Sequence, residues 1–227
     1  MAAIDRVSES REVYDFDRVV LRVDNIMNKV QITQGEHESL TMEGRPDILS
    51  KITTVVRDKA LIIRFDGSWM DKLGFALSTS FTRPTIRYTI TVQDLSCLDL
   101  AGFVHANAAE LSANNLSLKL KGAGELAIGW LKAQSLDVDL QGVGRMVLEG
   151  QVEEQRAAVH GPGHYKARNL KSRRARVSVQ GIGRADIWTT DSLTIKVRGM
   201  GHVGVRGAPK ISEEIGPRVP APRFGHL

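Results

Sequence analysis

The chain has 227 residues, of which 42% are hydrophobic, 25% charged and 5% aromatic, with 21 glycines and a net charge of +5. This composition is typical of a soluble globular protein, and no apolar run approaches the length of a membrane-spanning helix. The single cysteine, Cys97, excludes an intrachain disulfide framework and a cysteine-rich metal site. The basic charge favours acidic partners only through long-range electrostatics.

The N-terminal segment, MAAIDRVSESREVYDF, has no basic stretch followed by an apolar stretch, so it does not match a secretion signal. We expect either an intracellular protein or the mature form of an exported protein whose signal has been removed. The sequence leaves both locations open.

Residues 1–100 are predicted to form N-terminal strands, a cap and the first coils of the fold. Short apolar segments alternate with polar residues there, and RDKA at residues 57–60 predicts a hairpin turn. The strand-like segments are RVVLRV, KVQIT, SLTM, ITTVVRDKALIIRF and TIRYTITVQDLSCLDL.

Residues 66–84 interrupt this strand pattern and are predicted to form a long inserted loop. Large apolar side chains in a loop either cover an open flank of the fold or contact another molecule. The candidate interaction residues are Trp69, Met70, Phe75 and Phe81.

Beyond residue 100, a glycine corner returns every 18 to 20 residues. A fixed period of this kind indicates one structural unit used repeatedly. Glycine is expected at these corners because the backbone needs a positive φ and stacked corners leave no room for side chains. The corner glycines are Gly102, Gly122, Gly124, Gly142, Gly144, Gly161, Gly163, Gly181, Gly183, Gly199 and Gly201, with Val104 standing where the first corner would have its second glycine.

Apolar and polar residues alternate on both sides of each corner. Leu116, Leu118 and Leu120 precede one corner, and Leu126 and Ile128 follow it. A period of two indicates strands with one face turned inward. A repeat of about twenty residues without a helix cannot close its own core, but coils stacked about 4.8 Å apart can.

The predicted fold class is therefore all-β, a single-stranded parallel β-helix, or β-solenoid, with coils of about 20 residues. A β-sandwich or propeller is the alternative, because hairpins with turns about every 8–12 residues would mimic this period. Regular coils are assigned to residues 101–211, and the Pro-rich residues 212–227 to a C-terminal cap or tail of the same continuous domain.

Four repeat units and two flanking segments are similar to a known family. The units are LSLKLKGAGEL, LDVDLQGVGRM, VSVQGIGRAD and TIKVRGMGHV, and the flanking segments are VYDFDRVVLRV and VRGAPKI. They resemble the head domain of the putative auto-transporter adhesins, a family of GIN-type bacterial β-helix proteins. The resemblance implies a right-handed parallel β-helix, usually exported to a bacterial envelope or surface, with a role in adhesion.

The residue that follows each corner motif is polar. In a solenoid these residues would form an exposed ladder, and the favoured interpretation is a set of solvated side chains with weak ion pairing. The six are His105, Glu125, Arg145, His164, Arg184 and His202.

The histidines do not predict a metal site. His105 and His164 lie three coils apart, about 14 Å at strand spacing, whereas zinc needs its donor nitrogens within about 2.1 Å. His160 and His164 flank one corner and lack an evident third ligand.

Two outward carboxylates, Asp137 and Asp139, are the candidates for glycosidic chemistry. Glycoside hydrolysis normally needs two carboxylates that flank a cleft. A flat face with a cation such as Arg156 in the next coil instead favours surface salt bridges.

The densest positive charge is predicted to form a patch that could hold an anionic polymer such as an acidic glycan or nucleic acid. A solvated turn is the alternative interpretation. The patch residues are Lys166, Arg168, Lys171, Arg173, Arg174, Arg176 and Arg184.

The predicted function is a non-enzymatic scaffold or adhesin-like module of the envelope or surface, without a cofactor. One alternative is a structural protein that self-associates end to end, because terminal coils present unpaired strand edges. The other is a β-helix that binds or cleaves anionic polysaccharides. The possible partners are a second copy, through the solenoid ends or residues 66–84, and a polyanion.

Overall fold

A computed structural model describes residues 6–67 and 84–215 of the chain. The predicted interaction residues Trp69, Met70, Phe75 and Phe81 lie outside the described residues. Most of the predicted C-terminal cap or tail, from residue 216 onward, also lies outside them.

The described residues form eleven strands and one helical turn, α1 (Pro46–Leu49), whose Ile48 and Leu49 are buried. The strands are β1 (Val7–Arg11), β2 (Arg18–Gln34), β3 (Ser39–Gly44), β4 (Ile52–Arg57), β5 (Ala60–Phe65), β6 (Thr85–Val92), β7 (Cys97–His160), β8 (His164–Gly181), β9 (Arg184–Gly199), β10 (His202–Arg206) and β11 (Lys210–Ile215).

The predicted all-β class is confirmed, and the strands form one mixed sheet. Its order is β1-β3-β6-β2-β7-β8-β9-β10, with β11 also beside β9, and with β5 between β2 and β4. Neighbours from β2 through β7, β8 and β9 to β10 are parallel. The prediction of parallel coils alone needs correction, because β1 with β3, β3 with β6, and β4 with β5 are antiparallel pairs.

The hairpin predicted at residues 57–60 is confirmed and is one cause of the antiparallel pairing. Asp58 and Lys59 both have a positive φ, 50° and 60° respectively. Two consecutive residues in this conformation form a tight turn that matches the twist of the flanking strands. The chain therefore returns directly along β4 as β5, without the long crossover that a parallel pair requires.

The parallel strands pair at the interval of the glycine corners. Arg145 in β7 lies opposite His164 in β8, which lies opposite Arg184 in β9. Gly181 and Gly199 are opposite each other in the same way. Successive corners are therefore neighbours across the sheet.

The first glycine of a corner combines a positive φ with close backbone contact. Gly122 has a φ of 113°, and a Cβ at this position would lie 2.5 Å from the carbonyl oxygen of Gly102. The second glycine provides space: at Gly183 a Cβ would lie 2.7 Å from the carbonyl oxygen of Gly161. The other first glycines also have positive φ: Gly102, Gly142, Gly161, Gly181 and Gly199.

One corner, in β2, is built without glycine. Opposite Gly102, the register of β2 shifts between Val23 and Met27, and Asn25 takes a positive φ of 62°. The amide nitrogen of buried Asn28 donates to three backbone carbonyls at 2.9–3.2 Å. Asparagine tolerates the left-handed conformation better than most residues, so it takes the place of glycine here.

The buried face of the strands forms one apolar core. Leu116, Leu118 and Leu120 are at most 2% exposed, as are Leu126 and Ile128. Burial of such side chains contributes about 1.5–3 kcal/mol each relative to exposure. Near the C-terminal edge, the equivalent residues Ile195, Val203 and Val205 are only partly buried.

A chain of hydrogen bonds crosses this core where polar residues enter it. Buried Tyr165 donates through Oη to Gln155 Oε1 at 2.9 Å, and Gln155 Nε2 donates to Ser172 Oγ at 2.8 Å. Ser172 Oγ donates in turn to the carbonyl oxygen of Trp188 at 2.9 Å. The buried glutamine is therefore paired at both ends of its amide, which allows a polar side chain at an interior position.

Candidate functional site

Polar residues that follow the corners lie opposite one another on paired strands, but they form ion pairs in separate groups. Arg145 Nη1 lies 3.6 Å from Glu125 Oε2, and both side chains are more than one-third exposed. His164 and Arg184 are opposite each other and both contact Asp186. The remaining members, His105 and His202, form no ion pair among the described residues.

Asp186 is the most enclosed charge in this region, with its side chain 7% exposed. His164 Nε2 lies 2.8 Å from Asp186 Oδ2, and Arg184 donates to both carboxylate oxygens at 2.9 and 3.1 Å. Burial alone raises the pKa of Asp186, but the hydrogen bonds from Arg184 and His164 outweigh it, so this pKa is lowered. Asp186 therefore stays charged and holds the two basic side chains in place.

Acidic neighbours neutralise much of the predicted basic patch. Arg173 donates to Asp191 at 2.9 Å and lies 3.5 Å from Glu153. Arg174 donates through Nε to Glu154 at 2.8 Å, and this hydrogen bond lowers the pKa of the Glu154 carboxyl. These arginines are therefore less available to an anionic ligand than the sequence indicated.

Lys171 is engaged with an aromatic ring. Its ammonium nitrogen lies 5.8 Å from the centroid of the Trp188 ring, and the Arg206 guanidinium lies 4.0 Å from the same centroid. Arg206 also donates to the carbonyl oxygen of Arg168 at 3.1 Å. Cation–π contacts of this kind fix both basic side chains and cover the Trp188 ring.

Three of the predicted patch residues come together around a groove of about 370 Å³: Lys166, Arg168 and Arg184. Lys166 and Arg168 form no ion pair among the described residues. Glu149 also lines the groove, so its charge is mixed. Arg176 does not line this groove. The predicted patch is therefore not one continuous basic surface.

The outward carboxylates belong to surface ion pairs. Arg156 Nη1 lies 3.6 Å from Asp137 Oδ1, which confirms the predicted salt bridge. Asp139 accepts a hydrogen bond from Gln141 at 2.8 Å and lies 3.5 Å from His160 Nδ1. Both carboxylates therefore have partners on the same outer face.

The described residues contain no group of three or more His, Cys, Asp or Glu side chains that could hold a metal ion. Cys97 is partly buried, and this burial raises the pKa of its thiol. A raised pKa leaves less of the reactive thiolate at neutral pH.

Sequence reasoning missed Trp130, which is 55% exposed and lines a groove of about 940 Å³. By alternation alone, Trp130 would continue the inward series of Leu126 and Ile128. The alternation changes phase after Ile128: Gly129 and Trp130 are both exposed, and Leu131 is buried. A break in the period next to Gly129 was the available signal.

The fold and surface together define an all-β protein with a mixed sheet and several ion pairs on its outer face. The chain belongs to the family described as "putative auto-transporter adhesin, head GIN domain", whose family model matches residues 16–209. The resemblance found in the repeat units is therefore confirmed.

Solved structures share this fold. A putative adhesin from Bacteroides fragilis NCTC 9343 has a TM-score of 0.80 and 23% identity, over 94% of this chain and 95% of that one. A putative lipid binding protein from Parabacteroides distasonis ATCC 8503 has a TM-score of 0.67 and 17% identity, over 93% of each chain. A putative adhesin from the same organism has a TM-score of 0.65 and 17% identity, again over 93% of each chain.

No curated protein matches the chain significantly. Within residues 6–67 and 84–215, no helix has the length and apolar character needed to cross a membrane.

Proposed function

We propose that this protein is a non-enzymatic, adhesin-like surface module built as a right-handed parallel β-solenoid. The observation that carries the proposal is family membership across residues 16–209. A rigid stack of coils would hold outward side chains in fixed rows, which suits a surface that binds other molecules.

The solenoid is supported by the pairing of residues 18–20 positions apart, from β7 through β8 to β9. It is also supported by the adjacent corner glycines with positive φ. Right-handed winding is the expected hand, because crossovers between parallel strands of one sheet are right-handed in nearly all proteins.

The absence of catalysis is supported by the chemistry of the outer face. Glycoside hydrolysis needs one carboxyl group with a raised pKa near a second carboxylate. Asp137 and Asp139 instead lie beside Arg156 and His160, at 3.6 and 3.5 Å, in contacts of the exposed outer face.

Protease treatment of intact cells tests the surface location. An epitope-tagged copy of the protein, expressed in its own organism, should be cleaved by added protease while a cytoplasmic marker stays intact. Cleavage only after lysis would contradict the proposal. A screen of neutral and acidic oligosaccharides should yield no cleavage products, and the appearance of products would overturn the non-enzymatic part.

End-to-end association is a second candidate, supported by the C-terminal strands. β10 and β11 each pair with β9 and with no other described strand. Such an edge can accept a strand from another molecule. Light scattering should then show a mass that rises with concentration, whereas a constant 25.0 kDa particle would exclude association.

Binding of a polyanion is the third candidate, supported by the groove that contains Lys166 and Arg168. Replacing both residues with Glu should abolish retention on heparin at low salt, because released counterions dominate such binding. Arg173→Glu with Arg174→Glu is the matched control, since both arginines are already paired with acids. Equal losses in the two double variants would contradict a specific role for this groove.

A further inference from the structure

We infer that the groove beside Trp130 binds a neutral oligosaccharide. The inference rests on the proposed adhesin-like function and names the ligand chemistry that such a module would recognise. The groove has a volume of about 940 Å³, near the upper end of the range of about 300–1,000 Å³ for small-ligand sites.

The groove runs across successive coils. Its lining comes from five segments: Gln34, Asp94 and residues 112–114, 130–134 and 151–153. Gln34 is hydrogen-bonded to Ser112, so Gln34 and the last three segments lie on four successive levels of the fold. Ser135 Oγ donates to Asn115 Oδ1 at 2.6 Å, which shows the contact between two of these levels. Three steps at strand spacing span about 14 Å, so the groove suits a chain of sugars better than a single one.

Trp130 provides an aromatic platform in this groove. Its side chain is 55% exposed and makes no hydrogen bond or ring contact among the described residues. The indole face is a large, rigid apolar surface, and a sugar ring has an apolar C–H face that can cover it. The Trp188 ring, by contrast, is covered by Lys171 and Arg206 and is not open in this way.

Three exposed side-chain amides in the groove can recognise sugar hydroxyls: Asn114, Gln134 and Gln151. Within the part of the chain that is described, these amides form no hydrogen bond. Each offers one acceptor and two donors, which matches hydroxyl groups that both donate and accept. Their free hydrogen-bonding capacity faces the same space as the Trp130 ring.

Gln34 fixes one end of the groove instead of facing a ligand. Its Nε2 donates to the carbonyl oxygens of Gln93 and Ser112 at 2.9 and 3.1 Å. Its Oε1 accepts from the Ser112 backbone nitrogen at 2.9 Å. The end of β2 is therefore held against the backbone of Ser112 in β7, which keeps the groove in a defined shape.

The charge balance of the groove favours a neutral ligand. Glu153 is ion-paired with Arg173 at 3.5 Å. The other two charged residues in the lining, Asp94 and Lys132, have opposite signs, so their formal charges sum to zero. The small side chains of Ala113 and Ala133 line the floor and leave the space above them open.

Isothermal titration calorimetry of the full chain tests the inference with three neutral hexasaccharides: β-1,4-linked glucose, β-1,4-linked mannose and α-1,4-linked glucose. At least one should bind, and Trp130→Ala should weaken that binding by about tenfold or more, as for other aromatic anchors of binding sites. Trp130→Phe should retain part of the affinity. The double variant Gln134→Ala with Gln151→Ala should also bind more weakly.

Val143→Ala is the matched control, because Val143 is 65% exposed and lies outside the groove. Its affinity should equal that of the unmodified protein. The affinity should also be unchanged between about 0.05 and about 0.5 M NaCl, since a neutral ligand has no ionic attraction to screen.

The inference is overturned if none of the three hexasaccharides binds, or if Trp130→Ala binds as tightly as the unmodified protein. It is also overturned if light scattering shows that Trp130 is instead the contact of a dimer. If a Trp130→Ala protein stays at the cell surface and still mediates adhesion, the groove is not the binding site, and the proposed function still holds. Protection from protease on intact cells would remove the proposed function without altering the calorimetry.

Discussion

Tyr88 and Tyr165 are both fully buried, and they differ in one hydrogen bond. Tyr165 Oη donates to Gln155, whereas Tyr88 Oη has no partner among the described residues. Burial raises the pKa of both phenols, so both remain neutral hydrogen-bond donors. The same substitution at the two positions therefore isolates the value of that hydrogen bond.

We expect Tyr165→Phe to lower the free energy of unfolding by about 1–3 kcal/mol, because it leaves Gln155 Oε1 buried and unpaired. Tyr88→Phe should cause no loss, since it removes an unpaired hydroxyl. Urea denaturation followed by circular dichroism measures both. Equal losses would contradict the assignment of the hydrogen bond to Tyr165 alone.

Asp186 makes the stability dependent on acid. The pKa of the Asp186 carboxyl is lowered from an ordinary value of 3.8, so this carboxylate takes up a proton less readily in the native protein than in the unfolded chain. The contribution of Asp186 is therefore complete above that ordinary value and is lost as the pH falls through the lower native pKa. Asp186→Asn should reduce the melting temperature at pH 7, and the difference from the unmodified protein should shrink near about pH 3. A difference that stays constant with pH would contradict this role.

At the scale of the element, the corner glycines differ in what surrounds them. A Cβ at Gly122 would lie 2.5 Å from the Gly102 carbonyl oxygen, whereas at Gly161 the nearest atom would be 3.5 Å away. Both glycines have a positive φ. Gly161→Ala should therefore lower the free energy of unfolding by about 1–3 kcal/mol through backbone strain alone.

Gly122→Ala should cost more than Gly161→Ala, because the backbone of the neighbouring corner must also move. Thermal denaturation of the two variants measures the difference. A smaller loss for Gly122→Ala would show that the contact with Gly102 is not limiting.

The corners that contain glycine could be predicted from the sequence, since their spacing repeats and their flanks alternate. The corner in β2 could not, because Asn25 adopts the positive φ and Asn28 satisfies the backbone carbonyls. The antiparallel position of β3 was also hidden, because an alternating strand has the same pattern in either direction. The two-residue turn at Asp58 and Lys59 was the one local signal of a reversal.

At the scale of the whole molecule, burial declines toward the C-terminal edge. Leu118 and Leu120 in β7 are 0% exposed, whereas Val203 and Val205 in β10 are only partly buried. Regions with few buried contacts open at lower free energy. Amide hydrogen exchange should therefore be slowest in the β7 and β8 coils and faster in β10 and β11. Uniform protection from β7 to β11 would contradict this gradient.

The sequence did not predict the basic patch or the exposure of Trp130 correctly, because both depend on residues that are distant in the chain and adjacent in the sheet. The seven basic residues were grouped by their order in the chain, but acids from other coils, Glu153 and Glu154, neutralise Arg173 and Arg174. Trp130 was missed because its place in the period matched the core. The ion pairs and the exposure of Trp130 depend on the register between paired strands. The spacing of the corners does not specify that register, which shifts within the β7–β8 and β8–β9 pairs.

The described sheet has different edges at its two ends. β10 and β11 form a parallel edge, whereas the N-terminal edge strands β1 and β4 belong to antiparallel pairs. The two ends of the sheet therefore present different strand arrangements. Contact between the C-terminal edges of two copies would use the same surface on each and would close as a two-fold symmetric dimer.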